Sequence, residues 1–304
     1  FMEIMKDEME ELVISHQGGL SVMDNKQEAT IQRVRNLVAE SSKIVVFLGI
    51  GTVIESGGEN IWSSRENYRI EDIYHKSPDE IISVGYYSAR KDRFFEFYKN
   101  EMISHCLTPA SLYGDLRRLQ DTGKISKIIT QNTDGLHFDA GLVDVIELHG
   151  NIHSNWCPHC GKKFDLEYIR NSRAVPLCDE CGTAIKPGIR LFGENIANNL
   201  MTEAVNACED ADLILALGTN MSDNMVKFCT ATYKGQRLVL ITKEEHYMDK
   251  YADIAYVGGG FGSGIHNILE AVSYSIPVAF GTNYKKFKEA VDLKQARIDE
   301  RIQN

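Results

Sequence analysis

Apolar residues follow two patterns along this chain. At Ile31, Val34, Leu37 and Val38 they recur every three or four positions, whereas Ile44-Val45-Val46-Phe47-Leu48 form an uninterrupted run. The first pattern predicts a helix with one buried face, and the second, ending at Gly49, predicts a strand buried on both faces. Further apolar runs at 125–130, 143–148, 212–217, 238–241 and 254–257 are separated by helical stretches such as 110–119 and 201–208. Parallel strands need a crossover between them, so this alternation predicts an α/β fold built on a doubly wound parallel sheet. Two segments break the rhythm. Residues 55–107 carry aromatic and charged positions at helical spacing, and residues 152–186 carry most of the cysteines. Both are expected to be insertions. Before the fold, residues 1–26 hold an amphipathic stretch and Gly18-Gly19, which read as an arm with a flexible joint; residues 276–304 read as a C-terminal helical tail, polar and charged from Asn283 on. No internal repeat is visible.

Composition narrows the class. With 304 residues, 43% hydrophobic and 25% charged, the chain can bury a substantial core, and its apolar runs are too short to span a bilayer. A net charge of -10 disfavours a nonspecific nucleic-acid or anionic-membrane surface, so neither partner is expected. The segment 2–13 is acidic and lacks the basic and apolar regions of a secretory signal, which makes a cytoplasmic location the expectation.

In a reducing compartment the cysteines point to metal. Four of the seven form two matched pairs, Cys157-Pro158-His159-Cys160-Gly161 and Cys178-Asp179-Glu180-Cys181-Gly182. Two residues between ligands let a tight turn aim both sulfurs at one ion, and four thiolates would close the tetrahedron of a structural zinc with no open position. A redox CxxC is the rival reading, but that chemistry needs one pair and not two.

The remaining candidate chemistry sits where strands end. Gly49-Ile50-Gly51 follows a buried strand, as a turn must if its backbone is to approach a pyrophosphate, although Ile54 replaces the third glycine of the usual fingerprint. After the run 125–130 comes Gln131-Asn132-Thr133-Asp134-Gly135-Leu136-His137, and after 143–148 comes His149-Gly150. A capped turn would explain Asn132 or Asp134, and a lone histidine is usually structural. Convergence of amide, carboxylate and imidazole at the carboxyl edge of one sheet favours a ligand site.

In type and order these pieces resemble the sirtuins, NAD-dependent protein-lysine deacylases. The resemblance runs over roughly residues 31–272 and rests on Gly49-Ile50-Gly51, residues 131–137, Glu147-Leu148-His149-Gly150, the two cysteine pairs, Phe192-Gly193-Glu194 and Gly218-Thr219-Asn220. It implies a Rossmann-like large domain within residues 27–275, plus a smaller domain made from the helical module at about 55–107 and a zinc ribbon at about 152–186. It assigns Gly49, Ile50, Gly51, Gln131, Asn132, Asp134, Gly218, Thr219 and Asn220 to NAD, which serves as co-substrate, and makes His149 the catalytic base. Acyl-lysine in a protein or peptide is the implied partner, along a groove lined by residues 186–194. Such an enzyme holds the amide oxygen, a poor nucleophile, against the ribose carbon that nicotinamide leaves, and keeps water away from the cationic sugar. The implied products are lysine, nicotinamide and O-acyl-ADP-ribose.

The chain departs from the family in one loop. Where sirtuins read Ser-Gly-Ile-Pro-Asp-Phe-Arg, this chain reads Ser56-Gly57-Gly58-Glu59-Asn60-Ile61-Trp62. Ile61 or Trp62 is expected to supply the missing lid and Arg65 the missing arginine. The changed loop keeps open an ADP-ribosyltransferase or NAD glycohydrolase, and an inactive NAD-binding module. Sirtuins that favour acidic acyl groups carry Tyr-x-x-Arg; Tyr98 and Glu101 stand at those positions, so a neutral acyl group, acetyl or longer, is expected, Glu101 repelling a carboxylate.

Overall fold

The computed structural model describes residues 25–104, 107–220, 222–235, 237–242, 252–257 and 278–280. Residues 1–24 of the expected arm, and the expected tail apart from 278–280, lie outside them. Helix α1 (Asn25–Glu40) precedes strand β1 (Ile44–Leu48), and the short helix α2 (Ile50–Glu55) follows at once. Next come α3 (Ser64–Tyr74), α4 (Pro78–Ile81), α5 (Val84–Ala89) and α6 (Lys91–Phe97), the last running into a wider turn over Tyr98–Met102. Helix α7 (Ser111–Asp121) leads to β2 (Ile125–Thr130), α8 (Leu136–Asp139) and β3 (Val145–Glu147). Short strands β4 (Asn155–Trp156) and β5 (Lys163–Phe164) pair antiparallel and are followed by α9 (Leu166–Asn171). The chain continues through α10 (Asn198–Glu209), β6 (Leu213–Leu217), α11 (Asn224–Thr230), β7 (Leu238–Thr242), β8 (Ile254–Val257) and β9 (Val278–Phe280).

Seven strands form one sheet in the order β3-β2-β1-β6-β7-β8-β9, and β1, β6, β7, β8 and β9 pair in parallel. The jump from β1 to β6 is the reversal point of a doubly wound, Rossmann-like sheet. Strand β9 differs from the expected helical tail: Val278–Phe280 pairs with Ala255–Val257 and extends the sheet past residue 275. Three residues are too few to show a strand period, which is why the sequence pattern hides them.

The chain divides into two compact units, one drawn from residues 1–51, 115–128 and 204–304 and the other from 52–114 and 129–203. In the first unit every side chain of β1 and of β6 is buried, as a central parallel strand requires. Asp212 ties their starts together: its Oδ2 accepts from Ser42 N, Ser42 Oγ and Lys43 N at 3.0, 2.8 and 3.0 Å. Those bonds hold its carboxyl below the usual range. Helix α1 ends where Lys124 Nζ donates to the carbonyls of Val38 and Ala39, which completes two acceptors left over at a helix C-terminus.

The second unit is built on serine-capped helices and one mixed core. Ser63, Ser77 and Ser83 each accept from a backbone N–H three residues on, starting α3, α4 and α5, and Ser77 with Glu80 forms a capping box ahead of Pro78. Ile70, Ile81, Phe94, Phe95, Phe97 and Tyr98 of the helical segment share one buried cluster with Ile152, Phe164, Ile169 and Ile185 of the cysteine-bearing segment and with Leu191 just after it. Cys157 and Cys178 belong to that same cluster. The two insertions therefore fold as partners, and removing either would uncover the other's apolar face.

Candidate functional site

The expected site residues fall in both units. In the first unit the turn after β1 meets the turn after β6. Gly49 N donates to Leu217 O and Gly51 N to Gly218 O, both at 2.9 Å. A Cβ at Gly49 would stand 2.4 Å from Thr219 Cβ, and one at Gly51 would stand 2.6 Å from Gly218 Cα. Neither position has room for a side chain. The amides of Gly49 and Gly51 are thus bonded to carbonyls at the end of β6 and in the turn after it. What the glycines supply is close approach, which sets Gly49, Ile50 and Gly51 beside Gly218, Thr219 and Asn220. Beyond that meeting point Asn220 Oδ1 accepts from Ser222 N at 2.9 Å, and Asp223 Oδ1 caps α11 through Met225 N and Val226 N.

In the second unit the ends of β2 and β3 are adjacent, because Leu148 N donates to Thr130 O at 2.9 Å. This places residues 131–134 and His149 at neighbouring strand ends. Asn132 is held at both its amides, its backbone N donating to Thr130 Oγ1 (3.0 Å) and its Nδ2 to Thr52 Oγ1 (3.2 Å). Thr52 in turn bonds the Tyr113 hydroxyl at 3.0 Å in a buried pair. Neither Thr52 nor Tyr113 is singled out by the sequence, since each reads as an ordinary helical position. Asp134 Oδ1 accepts from Leu136 N at 2.8 Å, so the capping account of this residue holds locally. Burial nevertheless pushes its carboxyl above the usual range.

The three histidines of this region separate by environment. His137 is 3% exposed, and its Nε2 lies 2.6 Å from Glu147 Oε1. Asn151 Nδ2 donates to both oxygens of the same carboxylate at 2.6 Å, so His137 is a satisfied core histidine. Next to Phe138, with ring centroids 4.9 Å apart, sits His153. His149 is different, being half-buried with its Nε2 3.2 Å from Arg190 Nη1. A guanidinium only donates, so in this contact Nε2 stands as the acceptor. The pairing is fixed by the backbone, Arg190 N donating to His149 O at 2.8 Å. Gly150 makes this possible: its φ is +66°, and a Cβ there would stand 2.0 Å from Gly188 O. Arg190 is the functional candidate that the sequence pattern does not single out. Its visible signal is a charge between two fully apolar neighbours, Ile189 and Leu191.

The segment after the cysteines is anchored throughout. Lys186, 8% exposed, donates from Nζ to Ile189 O at 2.9 Å and lies 3.3 Å from Glu194 Oε2, while its ammonium sits over the Trp156 ring. Glu194 Oε2 also accepts from Leu191 N at 2.7 Å.

Cys157, Cys160, Cys178 and Cys181 place their four sulfurs within 4.8 Å of one another. Cys157–Cys181, Cys160–Cys178 and Cys160–Cys181 are 3.4, 3.6 and 3.9 Å apart. A tetrahedral zinc with bonds of about 2.3 Å sets sulfurs about 3.8 Å apart, so the quartet fits a structural zinc. Backbone bonds complete both knuckles, Gly161 N to Cys157 O and Gly182 N to Cys178 O, with both glycines at positive φ.

The loop that departs from the sirtuin pattern is held within the second unit. Ile61 is buried in the second unit's core, Trp62 Nε1 donates to Asp79 Oδ1 at 2.7 Å, and the Arg65 side chain is 93% exposed. Tyr98 is fully buried, and Glu101 pairs with Arg69 and accepts from the Tyr74 hydroxyl at 2.8 Å.

Comparison with known proteins bears on all of these pieces. The family model described as "Sir2 family" matches residues 30–224. A Clostridium acetobutylicum protein named NAD-dependent protein deacetylase is 35% identical over 243 residues, covering 80% of this chain and 97% of that one. NAD-dependent protein deacetylase 2 of Geobacillus kaustophilus is 36% identical over 236 residues, covering 75% and 93%. Among solved structures, a Sir2 bound to an acetylated peptide superposes with a TM-score of 0.63 at 28% identity, covering 74% of this chain and 92% of that one. A Sir2 variant with a deacetylated p53 peptide and 3'-O-acetyl-ADP-ribose gives 0.65 at 29%, covering 75% and 92%. The Rossmann-like sheet, the cysteine quartet and the polar strand ends thus have one common source, and this chain belongs to the Sir2 family.

Proposed function

We propose that this chain is an NAD-dependent protein-lysine deacylase that converts acyl-lysine, NAD and water to lysine, nicotinamide and O-acyl-ADP-ribose. The observation that carries the reading is His149, whose Nε2 is held as an acceptor in the form a general base requires. Gln131, Asn132 and Asp134 stand at the adjoining strand end, and the tethers on Asn132 and Asp134 hold those side chains in one geometry. Asp134, with its raised proton affinity, suits a hydrogen bond with the departing carboxamide. Gly49, Ile50, Gly51, Gly218, Thr219 and Asn220 would take the adenosine and phosphate half of the dinucleotide. Zinc, when bound, supplies a four-way cross-link between the two knuckles, and the chemistry stays with the polar side chains.

Acetyl is the acyl group in the names of the relatives and is the substrate proposed first. The wider expectation of neutral acyl groups rests on Glu101, whose carboxylate is matched by Arg69 and Tyr74. Its charge is therefore no bar to an acidic acyl chain. Replacement of the family's Phe-Arg by Ile61-Trp62 favours a second reading, in which the ribose passes to water or to a protein side chain. His149→Ala separates the readings from a mere binding module. Turnover of an acetyl-lysine peptide should fall by at least about a hundredfold, the scale of a lost general base, while NAD still binds by calorimetry. Unchanged turnover would remove His149 from the mechanism.

A further inference from the structure

Arg190 has no place in the acyl transfer proposed above, yet it touches the proposed base. Its Nε donates to Glu194 O at 2.9 Å and its Nη1 lies 3.2 Å from His149 Nε2. A guanidinium has five N–H groups, so these two contacts leave the others without a protein acceptor among the described residues. No carboxylate among the described residues pairs with it either. Glu194, the acid closest in sequence, turns its Oε2 to Lys186 Nζ and Leu191 N. Arg190 is thus a half-buried cation whose partners among the described residues are a carbonyl and an imidazole nitrogen.

This arrangement opposes the proposed chemistry unless an anion joins it. If His149 is the base, the amide carbon and the ribose react beside Nε2, and positive charge develops on the sugar as nicotinamide departs. A bare guanidinium next to that centre works against the transition state. An acetyl group gives it nothing to bind. A short acyl chain ending in a carboxylate would accept two parallel N–H bonds from it and cancel the charge. The incoming carboxylate would also draw Nη1 off Nε2 and free the histidine's lone pair for the ribose hydroxyl: the O–H bond breaks and an N–H bond forms on the imidazole.

We propose that Arg190 is a specificity-determining residue that selects acyl-lysine substrates whose acyl chain ends in a carboxylate. The proposal rests on the deacylase reading of the same site. It is tested with one peptide carrying either acetyl-lysine or succinyl-lysine, at saturating NAD, on the wild-type protein, Arg190→Met and Arg190→Lys. Binding of both peptides is followed in parallel by fluorescence anisotropy. Wild-type protein should favour the succinyl peptide in kcat/KM by about tenfold or more. Arg190→Met, which keeps the stem and loses the charge, should erase that ratio, and Arg190→Lys should keep part of it. Equal ratios in all three proteins would overturn the proposal, as would a loss in Arg190→Met seen in the KM for NAD, which would make a cofactor phosphate the anion. If neither peptide is turned over but the succinyl peptide alone binds through Arg190, the deacylase reading falls and the carboxylate subsite stands. If the acetyl peptide is turned over with no charge-dependent discrimination, the carboxylate subsite falls and the deacylase reading stands.

Discussion

The two units reach their candidate sites by opposite means. In the first, the site is made by leaving side chains out: Gly49 and Gly51 let one strand-end turn press against Gly218 and Thr219, and the hydrogen bonds there run from backbone to backbone. In the second, it is made by adding chemistry: a cysteine quartet, a tethered asparagine, a carboxylate that holds one histidine and an arginine that holds another. A backbone site tolerates changes of charge around it but no added methyl group. A side-chain site tolerates small shifts of shape but fails when a partner or a metal is lost. The differences can be broken by experiment, starting with the largest effect.

Chelation of the metal, or Cys178→Ser, should be the most damaging change. Structural zinc contributes an apparent ~10–16 kcal/mol in small zinc-binding peptides, and here two of the four ligands lie inside the apolar cluster shared with the helical segment. Limited proteolysis with mass-spectrometric mapping should show new cleavage within residues 129–203, and activity should vanish with the metal. Full activity in metal-free protein would deny the ribbon any part in holding the site.

Gly51→Ala should cost about 1–3 kcal/mol in urea unfolding, because the new Cβ meets backbone that has no rotamer to change. Gly85→Ala is the matched control: its Cβ would meet nothing within 4 Å, and its place in α5 predicts a gain of about 0.5–1 kcal/mol.

Glu147 tests the polar side of the comparison. Burial alone would raise its pKa, but the bonds from His137 and Asn151 win and hold it below 4.5. A carboxyl with a depressed folded-state pKa stabilises the protein above its unfolded value, and that contribution is lost as pH falls through the folded value. Glu147→Gln should therefore lower stability by about 1–3 kcal/mol at neutral pH. The gap to wild type should narrow on acidification below the usual glutamate range, as read by thermal melts across pH. A gap independent of pH would mean that the carboxylate charge is irrelevant.

The smallest effect is expected at Tyr98, whose buried hydroxyl has no hydrogen-bond partner among the described residues. Tyr98→Phe should leave stability unchanged or raise it by about 1 kcal/mol. A marked loss would point to an acceptor for that hydroxyl.

Much of this was legible in the sequence, for reasons that differ between the units. Uninterrupted runs such as 44–48 and 213–217, alternating with helical stretches, fit central parallel strands, and the matched cysteine spacing specifies its own tetrahedron. The glycine turn is visible in the sequence, and the structure adds that the neighbouring turn itself requires those glycines. A glycine required by a neighbouring backbone looks the same in one dimension as a glycine required by a phosphate. His137 and His149 were equally prominent as letters, and only their partners, Glu147 and Arg190, tell a structural ring from a poised one. Strand β9 was missed because its pairing with β8, and not its own pattern, makes it a strand.

The central claim is that the polar strand ends around His149 perform acyl transfer to ADP-ribose. Incubating the protein with NAD and an acetyl-lysine peptide, and identifying every product by mass spectrometry, tests it most directly. Deacetylated peptide, nicotinamide and O-acetyl-ADP-ribose are expected in equal amounts. Free ADP-ribose or an ADP-ribosylated peptide, with the acetyl group still on lysine, would contradict it.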